Sequence, residues 1–171
     1  LMINAGNANA ATGLQGKKDA EKLIEEISSV LKISKDNILP FSTGVVGELL
    51  NINKLSKAFK KCADKLGNNT WQDFAKAIMT TDTCHKVVKK QFLLGKQKIN
   101  VIGIAKGVGM IEPNMATTLS FIFTDLKISK MQLRKLHKDI CDQTFNAISI
   151  DGDQSPSDSS IFATTSEKNS D

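Results

Sequence analysis

A mixed α/β fold is predicted for this chain by three observations. Apolar residues recur at helical spacing over residues 18–31, 54–66, 70–79 and 130–142. Short runs rich in β-branched and aromatic residues occur at 87–94, 99–105 and 119–123. Gly, Asn, Ser and Pro punctuate the intervals between them. The picture is of hairpin strands packed against amphipathic helices. A length of 171 residues with 40% hydrophobic content suffices to bury a core and predicts one domain, at most two small ones.

The chain opens on Leu1-Met2-Ile3-Asn4, which reads as the tail of a strand begun further upstream, as in a fragment. Next, INAGNANAATG at 3–13 combines Asn and Gly, which tolerate positive φ, with alanines that add little bulk. Such a loop can approach another backbone closely; an ordinary turn is the alternative. The helix over 18–31 turns Leu23, Ile24, Ile27, Val30 and Leu31 inward, and Ser34, Lys35 and Asp36 end it. A short extended segment, 38–41, runs into Ser42-Thr43-Gly44-Val45-Val46-Gly47. A strand ending in such a turn exposes N–H groups and a hydroxyl, the parts of an anion or oxyanion site, or else the turn is only a turn.

Leu55, Ala58, Phe59, Cys62 and Leu66 share one face of the next helix, where Cys62 reads as a packed thiol. Trp71, Phe74, Ala75 and Ile78 share one face of the helix after it, which ends in Thr80-Thr81-Asp82-Thr83. That polar cluster is either a turn or a pocket lining. Cys84 beside His85 is a poor catalytic pair, because neighbours in a strand point to opposite faces and no third partner is evident. VVKKQFLL, a GKQK turn and INVIGIA form a predicted hairpin leading to Lys106. On the helix over 130–142, Leu133, Leu136, His137 and Ile140 face inward, with His137 a hydrogen-bonded flank residue rather than a ligand. Residues 145–150 read as one more strand, and the polar tail from 166 as frayed.

Charge and cysteine usage exclude several roles. The net charge of +5 is carried almost wholly by lysine, with Arg134 the only arginine, a single Trp and no Tyr. Nucleic-acid readers depend on arginine and aromatics, so no nucleic-acid partner is expected. Nothing approaches the roughly 18 consecutive apolar residues of a membrane span, and the start lacks an export pattern. Three widely spaced cysteines, Cys62, Cys84 and Cys141, fit reduced thiols. No membrane association and a cytoplasmic location are therefore expected. The acidic run DGDQSPSD, 151–158, lacks EF-hand spacing and a closing Glu, and no metal is expected.

The stretch GVGMIEPNMATTLSF, 107–121, gathers the most chemical potential. Two glycines open it, Pro113 and Asn114 mark a turn, and Thr117 and Thr118 stand where a loop becomes an apolar strand. A threonine there is an ordinary strand start, and also a seat for a nucleophile. The glycines complete neither a dinucleotide fingerprint, since Glu112 holds the third glycine position, nor a Walker pattern.

NAGNANAATG, STGVVGELL, AIMTTDT, GIAKGVGMIEPNMATTLSFIFTD and FNAISIDGDQSPSD, in this order, resemble the ornithine acetyltransferases, also called glutamate N-acetyltransferases, of the cyclic arginine pathway. The five motifs span nearly the whole chain. The resemblance implies a layered α/β sandwich of the ornithine-acetyltransferase type, with mixed sheets packed by amphipathic helices. It also implies self-cleavage at Ala116-Thr117, so that 1–171 is a partial catalytic domain, 1–116 the end of an α-chain-like part and 117–171 the start of a β-chain-like part. Thr117 would be the nucleophile, Thr43 and Gly44 the oxyanion hole, and Thr80, Lys106 and Thr117 the substrate-binding residues. The implied reaction moves an acetyl group from N-acetylornithine to glutamate with no cofactor, acetyl-CoA being a further possible substrate. The implied assembly is a heterotetramer of two α and two β chains.

The sequence departs from that pattern at two positions. Ala11 stands where the family usually has Cys, and Thr118 where a Met often follows the nucleophile. The adjacent threonines leave two candidates, and the preceding Asn-Met-Ala assigns the role to Thr117. The family's second chain also extends well beyond the DGD motif and supplies further substrate groups. A non-catalytic binding domain and a threonine or serine amidohydrolase of related architecture are the competing readings.

Overall fold

The computed structural model describes residues 1–68, 70–112 and 118–168. The chain divides into two compact units, Leu1–Thr80 and Thr81–Asp171.

The first unit is built on a β–α–β element: β1 (Met2–Asn7), α1 (Gly13–Leu31) and β2 (Pro40–Val45). β1 and β2 run parallel, in register from Met2↔Pro40 to Asn7↔Val45. Parallel neighbours cannot be joined by a hairpin, and α1 is the crossover that joins them. Met2, Leu23, Ile27, Ile38 and Leu50 form its core, with Ile52, Leu55 and Phe59 of α2 (Ile52–Ala63) packed against it. The short α3 (Trp71–Ala77) is started by a capping box in which Thr70 and Asp73 bond reciprocally to each other's backbone N–H.

Three expectations are corrected here. α1 begins at Gly13, because its first turn carries a 79% exposed Leu14 and so shows no apolar stripe. Cys62 is exposed rather than packed, since α2 reaches the core through Ile52, Leu55 and Phe59. The segment Ser42-Thr43-Gly44 lies inside β2 rather than in a turn after it. Pairing continues through it because Gly44 faces Gly6 and neither carries a side chain.

The second unit holds β3 (Lys86–Leu94), β4 (Gln97–Lys106), β5 (Leu119–Leu126), α4 (Lys130–Gln143) and β6 (Ser159–Lys168), with sheet order β3-β4-β5-β6. The first two pairings are antiparallel and β5–β6 is parallel, a mixed sheet. Leu94 pairs with Gln97 across a tight Gly95-Lys96 turn, where Gly95 has φ +59°. α4 crosses from β5 to β6 and starts with a second capping box, Ser129 with Gln132. Ile99, Ile104, Leu119 and Phe121 are buried on β4 and β5.

The predicted strand over 145–150 is absent. Phe145–Ala147 is a 3-10 turn, and Ile148 and Ile150 are 44% and 58% exposed. The last strand is instead Ser159–Lys168, where the sequence predicts no element over 159–165 and a polar tail only from 166. A parallel neighbour for β5 needs a long return, and residues 144–158 complete it.

Candidate active site

In the first unit the chemistry is made by backbone. Thr43 is buried, 2% exposed, and the next residue, Gly44, has φ +128°. A Cβ on Gly44 would lie 2.3 Å from both the carbonyl carbon and the oxygen of Gly6, so only glycine fits. Ser42 Oγ donates to Asn4 Oδ1 at 2.7 Å, and Asn4 Nδ2 donates to the carbonyl of Asn7 at 2.9 Å. Beyond the strands the two loops stay stitched together, Ala8 N–H to Val45 O at 2.9 Å and Gly47 N–H to Ala10 O at 2.8 Å. The Asn-Gly-Ala loop thus makes the close backbone approach its composition permits.

In the second unit the chemistry is made by charge. Lys106, the last residue of β4, is 2% exposed and pairs in register with Leu119, the first residue of β5. Its burial pushes the ammonium pKa below the ordinary lysine value. The carboxylates of Asp82 and Asp158 oppose that shift, and the neighbouring Lys86 adds to it. Asp82, 8% exposed, accepts from Lys86 Nζ at 2.6 Å and from the Gly107 N–H at 2.9 Å. Asp158 accepts from the Thr118 N–H at 2.8 Å, and Ser159 N–H returns a bond to the Thr118 carbonyl at 3.0 Å. Leu119 pairs with Ser159, so Lys106, Thr118 and Asp158 lie at one end of three adjacent strands.

Ahead of this edge the loop after β4 is held by Asp151. Its carboxylate accepts from the N–H groups of Met110 (2.6 Å) and Ile111 (2.9 Å), which keep its pKa below the usual carboxylate range. Elsewhere in the unit, His137 is bonded through Nε2 to Ser160 Oγ at 2.6 Å, and burial lowers its pKa. It is the satisfied flank histidine the sequence predicts. A separate cavity of about 770 Å³ has an apolar lining that includes Val88, Phe92, Ile122, Leu136 and Ile140. Lys106 and Asp158 do not line it.

Of the residues singled out from sequence, Thr43, Gly44 and the exposed Thr80 lie in the first unit and Lys106 in the second. Ala116 and Thr117 lie outside the described residues. Cys84 and His85 are both exposed. Sequence reasoning placed Asp82 in a polar cluster that is either a turn or a pocket lining, without its role, and missed the roles of Asp151 and Asp158. It weighed the acids of 151–158 as metal ligands, whereas Asp151 and Asp158 bond backbone N–H groups some 40 residues upstream. No local signal marks these pairings, because each acid bonds N–H groups 25 or more residues away in sequence.

The sequence profile of the ArgJ family matches residues 1–171. The chain belongs to the ArgJ family. The arginine biosynthesis bifunctional protein ArgJ of Colwellia psychrerythraea is 44% identical over 169 residues, which cover 99% of this chain and 40% of that protein. The ArgJ of Caldanaerobacter subterraneus subsp. tengcongensis is 44% identical over 161 residues, 94% of this chain and 40% of that protein. The mitochondrial ArgJ of Lodderomyces elongisporus is 45% identical over 161 residues, 92% of this chain and 36% of that protein. The crystal structure of ArgJ from Bacillus halodurans superposes with a TM-score of 0.58 at 35% identity, covering 67% of this chain and 60% of that one. The chain therefore spans about two fifths of the length of the curated ArgJ relatives it matches. The mixed α/β fold class expected from sequence is the one observed, and an ArgJ protein is among its structural neighbours. Among the described residues no helix is long and apolar enough to cross a membrane.

Proposed function

We propose that this ArgJ-family chain carries part of the active site of a threonine-nucleophile acetyltransferase of arginine biosynthesis, which moves an acetyl group from N-acetylornithine to glutamate. One observation carries the proposal. β4 and β5, the strands before and after Ala116-Thr117, are sheet neighbours, and a buried lysine faces the start of the strand that follows Thr117. A sheet paired across the predicted cut keeps its hydrogen bonds when one peptide bond is broken.

In the proposed sequence, cleavage at Ala116-Thr117 frees an α-amine with a pKa near 8, a base at working pH on the nucleophile's own residue. Thr117 Oγ1 attacks the acetyl carbonyl carbon of N-acetylornithine while its proton passes to that amine. The C–N bond then breaks, ornithine leaves with the proton, and an acetyl ester remains. The amine of glutamate attacks the ester carbonyl carbon, the C–O bond to Thr117 breaks, and the proton that the amine gives up passes through the α-amine to restore the threonine hydroxyl. Thr43 Oγ1 and the Gly44 N–H are the oxyanion donors in this reading, each worth about 3 kcal/mol of barrier. Lys106 and Thr80 bind substrate, the lysine being suited to a carboxylate. Acetyl-CoA is an alternative acetyl donor, and no metal or cofactor takes part. The two cleavage products form an α₂β₂ heterotetramer. The compartment follows the source, cytoplasm being the reading for a chain of bacterial type and the mitochondrion for relatives so named.

The test uses the protein at the full length its gene encodes. Intact mass is expected to show two products with a new N-terminus at Thr117, and Thr117→Ala to abolish both cleavage and transfer. Ornithine release from N-acetylornithine is expected to depend on glutamate. Release that ignores glutamate would convert the reading to an amidohydrolase, and an uncut, inactive wild type would reduce it to a binding domain.

A further inference from the structure

Two aspartates at the ends of one short segment, 151–158, hold the chain on either side of residues 113–117. Upstream, Asp151 Oδ2 accepts from Met110 N–H and Oδ1 from Ile111 N–H, and Ile150 N–H donates to the Ile111 carbonyl at 2.7 Å. Ser149 Oγ adds a bond to the Glu112 carboxylate at 2.8 Å. Glycine at 109 makes room for this, because a Cβ there would stand 3.3 Å from Asp151 Oδ2. Downstream, Asp158 Oδ1 takes the Thr118 N–H, and Ser159 N–H takes the Thr118 carbonyl.

We infer that Asp151 and Asp158 are positioning residues, which hold the loop ahead of the Ala116-Thr117 bond and the strand start behind it, both before and after that bond is cut. The inference rests on the function proposed above. Carboxylates suit the task because they are acceptor-only groups whose charge strengthens bonds from backbone N–H. Asp151 uses both oxygens on two successive N–H groups, which fixes the direction of the loop as well as its place. Asp158 grips the nitrogen of the peptide unit that Thr118 shares with Thr117, so its hold acts one planar unit from the proposed nucleophile. A misplacement of about 1 Å at a reacting group costs on the order of 100-fold in rate. Cleavage gives the two anchors different roles. Met110 and Ile111 would then belong to the upstream product and Asp151 to the downstream one, so the Asp151 bonds become contacts between products. The Asp158 bond stays within the downstream product and fixes its new end.

The test compares Ala and Asn at each position in the full-length protein, since Asn retains a carbonyl acceptor without the charge. Asp158→Ala is expected to lower kcat for acetyl transfer about 100-fold with KM for N-acetylornithine within about threefold, and Asp158→Asn to recover to within about tenfold of wild type. Asp151→Ala is expected to slow cleavage, followed by intact mass over time, at least about tenfold, and Asp151→Asn to recover part of the rate. The inference is overturned if the Ala variants cleave and turn over like wild type. It is equally overturned if the Asn variants lose the cooperative thermal transition along with activity, which would make the role purely structural. A wild type that is neither cut nor active fails the proposed function and takes this inference with it; a competent wild type matched by its variants fails this inference alone.

Discussion

Each unit of the molecule contains one β–α–β element, and each uses it differently. In the first, β1–α1–β2, the residues of interest sit toward the carboxyl ends of the parallel strands and are defined by backbone: Gly44 against Gly6, and two loops joined by main-chain bonds. In the second, β5–α4–β6, they sit at the amino ends of the strands, beside the carboxyl end of β4, and are defined by Lys106, Asp82, Asp151 and Asp158. A backbone-built site depends on steric tolerance and is indifferent to pH. A charge-built site tolerates shape changes better but answers to every neighbouring charge. The contrast predicts which perturbation damages which unit.

The largest effect is expected at Gly44. A methyl there meets the Gly6 backbone at 2.3 Å and must also adopt φ +128°, so Gly44→Ala should cost on the order of 3 kcal/mol or more and show as a collapse of the first unit's unfolding midpoint. Gly47→Ala is the control: φ is +88° but nothing lies within 4 Å, so only the conformational cost of about 1–2 kcal/mol should appear. Equal losses at the two sites would remove close approach as the organising feature of this unit.

Asp82→Ala is the matching test of the second unit. It strips the Gly107 N–H of its acceptor and removes a charge that offsets the burial of Lys106. The partner Lys86 is 39% exposed, so little is ascribed to that ion pair. A loss of about 1–2 kcal/mol in denaturant unfolding is expected, mainly from the half-buried backbone donor left without this acceptor. Asp82→Asn should recover much of it; an Asn variant as unstable as the Ala one would mean the charge outweighs the hydrogen bond.

The charge-built unit should also show itself in pH dependence. The folded pKa of Lys106 is depressed, so between that value and the ordinary lysine value of about 10.4 the unfolded chain holds a proton the folded chain has released. Stability therefore rises with pH through that window, and below it the residue contributes no slope. Subtracting the profile of Lys106→Met from that of wild type should leave a positive slope that ends near the ordinary lysine value. A flat difference would mean that Asp82 and Asp158 fully cancel the desolvation.

How far the two units could be read from sequence follows the same division. Helices were legible through apolar spacing, and the hairpin through Gly95, because both signals are local. The close approach in the first unit was also legible, since Asn and Gly crowd into 3–13 and each advertises its conformational freedom. The charge cluster was not. Lys106 entered only through family resemblance, and Asp82, Asp151 and Asp158 act on N–H groups 25 to 41 residues away, a separation at which no periodicity operates. β6 was missed for a related reason: SSIFATT has no clean alternation, because its pairing partner, β5, decides what it buries.

The smallest predicted effect probes a place where the backbone-built loop holds an alanine in a conformation that glycine adopts freely. Ala11 adopts φ +57°, a left-handed conformation that costs an L-residue about 1–2 kcal/mol and costs glycine nothing. Replacing it with glycine relieves that strain but gives the unfolded chain more freedom, which returns about 0.4–1 kcal/mol. Ala11→Gly should therefore stabilise the first unit by roughly 0.5 kcal/mol, read as a small rise in denaturant midpoint with an unchanged m-value. A destabilised variant would show that the Ala11 methyl makes packing contacts worth more than its strain, and that even the backbone-built unit relies on side chains at this loop.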